Sequence, residues 1–497
     1  MTLYLLVFIP VIFGVLCLAL PTSPLRMAAL VTGAWTHLAL VLRSWPATSA
    51  PAAGDLLGFD PLGHLLLTLV SVLFAATSVY FVGYHRKRLV SQRVFLACVL
   101  GLLAALSLLC VSQHLGLLWV ALESASLAAT PLIYFRLGAR ALEATWKFLL
   151  MNSVGVALAL SGIFCVAIAT TGLESPVVLT VTELTRLAPR MDPVWLRVGF
   201  LLALVGFGTK MGLAPLHTWK PDAYGEAPPP VAALLAGGVT LGAFAGILRM
   251  FQVCAAAGLG TFAGSWLIGF GLLSIATAAV FIVGNPDYRR LLAYTSVEHM
   301  GVLAIGVGLG ASGGYASLLH ALHNTLNKGA LFFLAGFLWR LYESNEISRA
   351  RGTLLRSPFA GVLLLAALCA TCGLPPFGMF FSELGIALAA AQQGRWWVLG
   401  VFVVTLAIVF VGVMTAMLPV VFGSPPDEAA GSAVAPSMQR WRRATMLGAT
   451  TALLALALGL GSYQPAVVRE ALLRAADAVC QPRSEAVAWT PTAEVPR

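Results

Sequence analysis

Gly206-Phe-Gly-Thr-Lys210-Met-Gly-Leu-Ala-Pro215-Leu-His217-Thr-Trp-Lys220-Pro-Asp222-Ala-Tyr-Gly-Glu226-Ala-Pro-Pro-Pro230 is the stretch from which the rest of the chain can be read. It leaves an apolar run (198–205) carrying a lysine with no charged neighbour, breaks at proline and turns through a polar loop. It then re-enters a second apolar run (231–248). A lysine held in hydrocarbon costs about 2.5–3.5 kcal/mol on insertion scales. Lys210 therefore needs a partner or a function.

Composition sets the class. With 59% hydrophobic and only 10% charged residues and a mean hydropathy of +0.90, the chain is not a soluble globule. A bilayer core takes roughly 20 apolar residues per helix, and about fourteen such runs are present. They lie near 1–20, 26–45, 61–84, 94–112, 114–135, 146–170, 195–215, 229–253, 261–284, 290–310, 314–339, 357–391 (interrupted), 397–422 and 444–462. The runs are continuously apolar rather than alternating, which excludes a transmembrane barrel. The first has neither a charged start nor a small-residue cleavage site and reads as a retained helix. The expectation is an all-α polytopic membrane protein.

A net charge of +10 could point to nucleic acid, but its placement points to topology. One side of the membrane collects Arg26, Arg86, Lys87, Arg88, Arg93, Arg136, Arg140, Lys147, Lys220, Arg289, Arg290 and Arg340. Arg349, Arg351, Arg356, Arg440, Arg442 and Arg443 continue that side. The opposite side has Arg43, Arg186, Arg190, Arg197, Arg249 and Arg395 before the tail. This is the positive-inside asymmetry, with both termini outside. The cysteines lie mostly in apolar runs. Cys369-Ala-Thr-Cys372 has no second pair or nearby histidine and reads as helix packing rather than metal. No phosphate-loop, dinucleotide, haem or iron–sulfur spacing appears, so no cofactor is expected.

Once every other charge is assigned to a loop, Lys210, Lys328, Glu123, Glu298 and Glu383 remain inside apolar runs. At ~2.5 kcal/mol each they would cost over ~10 kcal/mol unless they face a polar interior. Their positions suggest two five-helix units, with helices 1–3 in 1–93, the units in 94–253 and 254–422, and a last helix with a tail in 423–497. Glu123 and Glu298 then sit in the second helix of each unit, Lys210 and Glu383 in the fourth. Both fourth helices are interrupted, by Gly206, Gly208 and Pro215 and by Gly373-Leu-Pro375-Pro376-Phe-Gly378. Paired broken helices mark ion sites in inverted-repeat transporters. His320, His323, Asn324, Asn327 and Lys328 repeat on one helix face between two bilayer-facing sides, so they should line a hydrated interior where histidine can relay protons.

These residues match a family. The runs Lys210-Met-Gly-Leu-Ala-Pro-Leu-His217-Thr-Trp-Lys-Pro-Asp222, Asp287-Tyr-Arg289-Arg290-Leu-Leu-Ala-Tyr-Thr-Ser-Val-Glu298-His299-Met-Gly301 and Gly373-Leu-Pro-Pro-Phe-Gly-Met-Phe-Phe-Ser-Glu383, with the stripe to Lys328, resemble the proton-translocating antiporter-like subunits of respiratory complex I. Cation/proton antiporters and membrane-bound hydrogenases share them, and the Val-Glu298-His299-Met-Gly form is most similar to the hydrogenase-4 component F branch. The resemblance covers roughly residues 60–420. It implies fourteen helices, two inverted five-helix repeats, broken helices seven and twelve, and a bacterial inner-membrane location. By residue match it makes Glu123 the fifth-helix glutamate and Lys210 the seventh-helix lysine. It puts His320 and Lys328 in the eleventh-helix relay and makes Glu383 the twelfth-helix exit residue. Three positions depart from the pattern. Leu241, with Thr240 beside it, stands where many relatives have a bridging lysine; His323-Asn324 reverses a usual Asn-His; Tyr288 replaces a common lysine. A central relay lacking its lysine would have to use water, Thr240 or His320.

The expected mechanism is a proton relay. Glu123 close to Lys210 holds it protonated, and withdrawal of Glu123 sends the proton through His320 and Lys328 towards Glu383. A change of about 3 pKa units in a buried group is about 4 kcal/mol. That is comparable with moving one charge through a potential of order 200 mV. Glu298-His299 reads as the second half's counterpart of Glu123. His217 and Trp219 sit at a membrane boundary, where His217 could gate protons. Lys147 and Lys220 read as loop charges, with Lys147 at a helix start from which it could reach inward, Pro228-Pro-Pro230 as a helix start, and 465–479 as an amphipathic piece of a surface-lying or disordered tail. His37, His64, His85 and His114 carry no argument. Expected partners are the other membrane subunits of a hetero-oligomeric complex, a peripheral redox or hydrogenase arm, lipid, and protons or alkali cations. Two alternatives reuse the same charges, namely a cation/proton antiporter subunit and a membrane partner for inorganic-carbon uptake. In each case catalysis would belong to another chain.

Overall fold

The computed structural model describes residues 2–45, 51–52, 54–84, 91–136, 138–173, 177–424 and 438–481. Arg86, Lys87 and Arg88 of the basic loops, His85, and the tail beyond 481 lie outside them. The described residues form helices joined by short turns, with isolated bridges such as His114 to Thr180 as their only strand-like pairings. Twelve helices are long and apolar enough to cross a membrane. They are α1 (Thr2–Ala19), α2 (Ser23–Arg43), α3 (Pro61–Tyr84), α4 (Gln92–Val111), α5 (Leu115–Ile133), α6 (Ala139–Ala169), α7 (Pro193–Met211), α9 (Pro229–Ala256), α10 (Gly260–Ile282), α11 (Tyr288–Gly308), α15 (Trp396–Phe422) and α16 (Arg440–Ser462). Between them come the short α8 (Trp219–Glu226) and the 32-residue α12 (Ala311–Tyr342), whose polar stripe lowers its hydropathy. The broken pair α13 (Pro358–Thr371) and α14 (Gly378–Gln392) follows. Each apolar helix satisfies its own backbone groups, as lipid demands.

Local sequence sets the ends. Asp192 caps α7, its Oδ1 accepting from the Val194 and Trp195 N–H groups, and Pro193 occupies the first turn. Asp287 caps α11 in the same way, accepting from Arg289 and Arg290. The α6–α7 and α10–α11 pairs pack through glycine. A Cβ on Gly206 would lie 2.5 Å from the Gly155 oxygen, and one on Gly264 would lie 2.4 Å from the Gly308 oxygen. Such close backbone approach is how membrane helices associate without a hydrophobic driving force.

Chain direction follows from contacts at the two ends of the bundle. At one end Asp222 of α8 pairs with Lys147 of α6 (2.9 Å) and Arg290 of α11 (3.0 Å), so Lys147 stays at the surface. The α12–α13 connection lies at this same end, where Ile347 donates to Pro286. At the opposite end Asp192 donates to the last carbonyl of α6, and Gln393 after α14 donates to the Leu309 carbonyl after α11. The broken helix α7–α8 therefore crosses in the opposite sense to α13–α14.

The piece read as surface-lying forms α17 (Ala466–Cys480). Its apolar face buries Leu472, Ala475 and Val479 against α12 and α3, so it is part of the packed bundle. An amphipathic pattern fixes one apolar face; whether lipid or protein covers that face depends on its neighbours.

Candidate functional site

The first break forms where α7 ends at Met211 and Gly212 takes a left-handed φ of 79°. The backbone groups it frees find partners. The Trp219 indole donates to the Thr209 carbonyl (2.8 Å), and the Ala214 N–H donates to Ser274 Oγ of α10 (2.9 Å). One residue before the helix ends, Lys210 is fully buried and reaches α5. Its Nζ sits 2.7 Å from Glu123 Oε2 and also donates to Ser126 Oγ and the Leu122 carbonyl. Glu123 keeps 23% of its side chain accessible, whereas Lys210 keeps none.

A second cluster lies between α11, α12 and α14. Lys328 Nζ donates to Thr295 Oγ1 (2.5 Å). Three residues further along α11, Glu298 Oε2 lies 3.2 Å from His299 Nδ1, within the electrostatic reach of Lys328. His299 Nδ1 meets His320 Nε2 at 3.1 Å, and His320 Nδ1 meets Ser382 Oγ at 2.9 Å, next to Glu383. The Glu383 carboxyl lies over Gly373 in the second break, where a Cβ would come within 2.2 Å of Oε2. Glu298, His299, His320 and Ser382 are thus linked at 2.9–3.2 Å, with Lys328 held one turn of α11 away on Thr295 and a Glu383 oxygen within 4.8 Å of the His299 and His320 ring nitrogens. Glu298 and His299, read as the counterpart of Glu123, belong to this linked row.

His323 packs its ring on Gly378 in the same break, one turn from His320. His217 is buried against Phe281 and Tyr294. His217 Nδ1, Glu298 Oε2, His299 Nε2, His323 Nε2, Asn324 Oδ1 and Asn327 Oδ1 are buried without a hydrogen-bond partner. Buried polar atoms ordinarily find such a partner. His299, His320 and Glu383 hold their donor atoms within 4.8 Å of one another, the spacing of a metal site. The two imidazoles, however, spend nitrogens on each other and on Ser382.

A loop assignment changes. Lys220, read as a loop charge, is fully buried, its Nζ 3.2 Å from Ser296 Oγ of α11. Reading the polar stretch after Pro215 as a loop hid this; α8 turns it back into the bundle. Thr240, offered as a stand-in for the absent bridging lysine, donates to the Ala236 carbonyl (2.6 Å) of its own helix. Sequence reasoning also missed the buried pair of Arg249 and Asp60, in which both guanidinium nitrogens engage the carboxylate and Gln113 donates to it as well. Asp60 lies just before α3 and looked like a loop residue.

Comparison with known proteins agrees with this geometry. A family model described as NADH:quinone oxidoreductase/Mrp antiporter, TM, matches residues 112–409. The hydrogenase-4 component F homolog of Methylacidiphilum infernorum is 35% identical over 303 residues, 60% of this chain and 64% of that protein. NADH-quinone oxidoreductase subunit N of Deinococcus radiodurans is 35% identical over 71% of this chain and 69% of its own length. Among solved structures, a chain of the Mrp complex from Dietzia superposes with a TM-score of 0.83 at 20% identity, covering 97% of this chain and 98% of its own. A chain of respiratory complex I from Thermus thermophilus gives 0.75 at 28% identity, covering 93% and 98%. The chain is a multi-pass membrane protein belonging to the NADH:quinone oxidoreductase/Mrp antiporter transmembrane family.

Proposed function

We propose that the chain is a proton-translocating, antiporter-like membrane subunit of a multi-subunit respiratory or hydrogenase-type complex. The observation that carries this reading is the Glu123–Lys210 pair at one broken helix, together with the linked Glu298–His299–His320–Ser382 row lying between Lys328 and Glu383 at the other. A buried lysine gripped by a partly accessible carboxylate is a switch. With Glu123 at 2.7 Å the ammonium is favoured, and withdrawing Glu123 leaves a charge in a low-dielectric site that favours proton release. The released proton passes through the bundle interior to Lys328, and the His299–His320 contact hands it towards Glu383. Histidine nitrogens accept on one side and donate on the other, which suits them to the middle of such a relay.

The opposed directions of α7–α8 and α13–α14 support two inverted five-helix repeats (94–253 and 254–422) within a fourteen-helix chain. The end carrying Lys147 and Arg290 is the cytoplasmic one by the excess of basic residues, which places both termini outside. The names of the relatives, NADH-quinone oxidoreductase subunit N and hydrogenase-4 component F homolog, support a place beside other membrane subunits and a peripheral arm.

The test uses the complex captured through this chain with its co-purifying subunits, reconstituted in vesicles and energised by its own electron donor. Lys210→Ala and Glu383→Gln should each lower proton uptake at least tenfold while the complex still assembles. Undiminished uptake in either would refute the assigned roles. The co-purifying subunits decide between the respiratory, cation-antiporter and carbon-uptake settings.

A further inference from the structure

The pair at α5–α7 and the cluster at α11–α14 need a connection. α9 runs through the middle of the bundle yet carries no ionisable side chain from Pro229 to Leu248, and its first one, Arg249, is spent on Asp60. Lys220 fills this gap. Its stem lies across the first break, where a Cβ on Gly212, two residues past Lys210, would come within 2.4 Å of Lys220 Cδ and Cε. Its ammonium reaches α11, at 3.2 Å from Ser296 Oγ and 3.4 Å from the Ser296 carbonyl. Lys328 is held by Thr295, the residue before Ser296. Two buried lysines are thus moored on consecutive hydroxyl residues of one helix. Among the described residues no carboxylate lies within ion-pair distance of Lys220 Nζ.

We propose that Lys220 is the central carrier of the relay, its Nζ taking the proton that leaves Lys210 and passing it to the Lys328–His299–His320 cluster. The step balances simply. The neutral amine of Lys220 gains the proton that the Lys210 ammonium loses, then releases it to the next neutral nitrogen. Two ammonium groups held by neighbouring residues of α11 in a low-dielectric interior repel, so a proton on Lys220 disfavours one on Lys328 and the charge alternates between them. This inference rests on the proton-relay reading above, and the experiment separates the two.

In the same vesicles, Lys220→Gln keeps a donor for Ser296 and Lys220→Met keeps the stem, but neither can carry a proton. Lys220→Arg keeps the charge and cannot release it. All three complexes should assemble, transfer electrons and show proton uptake per electron at least tenfold below the unaltered complex. Wild-type uptake in any of the three overturns the proposal. Loss of assembly in the neutral variants also overturns it, making Lys220 a structural charge. Lys210→Ala, run alongside, identifies which idea fails. If it too leaves uptake intact, the relay reading itself falls; if it abolishes uptake while Lys220→Gln does not, only the role of Lys220 falls.

Discussion

Buried cations here are held in two ways, and the difference decides what each can do. Arg249 is locked to Asp60 by two guanidinium contacts, with side-chain exposure of 4% and 9%. Arginine does not release its proton, so this pair fixes α3 to α9 and nothing more. Lys210 has one carboxylate contact, and that carboxylate is partly accessible. Substitution should separate the two cases. Asp60→Ala leaves a buried guanidinium unpaired and should cost about 3–5 kcal/mol of stability, read as a lowered unfolding temperature of the purified subunit in detergent. The double variant Asp60→Leu with Arg249→Met should regain most of it. Glu123→Gln should instead cost less stability than Asp60→Ala while lowering proton uptake in vesicles at least tenfold.

At the scale of elements, the broken helices are what bring charge into the bundle interior. An unbroken α7 would continue past Lys210 as a lipid-spanning rod; the left-handed Gly212 turns the chain so that α8 carries Lys220 back inward. Gly212 has two reasons to be glycine, its φ of 79° and the Lys220 stem against it. Gly394, with φ of 67° and open space around a Cβ, has only the first. Gly394→Ala should cost roughly 1–2 kcal/mol from backbone strain alone. Gly212→Ala should cost more, and adding Lys220→Ala should recover the excess but not the strain. Unfolding by denaturant in detergent micelles reads all three differences, and equal costs for the two single variants would show that the stem does not press on Gly212.

Across the whole molecule, polar contacts between helix ends define two ends of the bundle. Lys147, Asp222 and Arg290 meet at one, while Asp192 and Gln393 mark the other. A cysteine placed at Glu143 or Arg290 should therefore resist an impermeant thiol reagent added to intact cells, and one at Arg190 or Arg395 should react. The eight native cysteines are buried or half-buried, so their background is low. The reverse labelling pattern would invert the orientation, and with it the direction in which the relay faces.

The sequence by itself determined the class, the helical runs, both breaks and the five charges inside apolar runs, of which Lys210, Lys328 and Glu298 are buried and Glu123 and Glu383 half-buried. A charge in an apolar run and a proline in a helix are local conflicts that need no partner to be seen. Only the tertiary structure decided which polar residues near a run's end are buried. Lys220 and Asp60 each sit beside a helix end, where composition reads as loop; burial there depends on how α8 and α3 turn towards neighbours distant in sequence. The same holds for the His299–His320 contact and for the cover on the apolar face of α17. A periodicity names the face of a helix, and packing alone names what meets it.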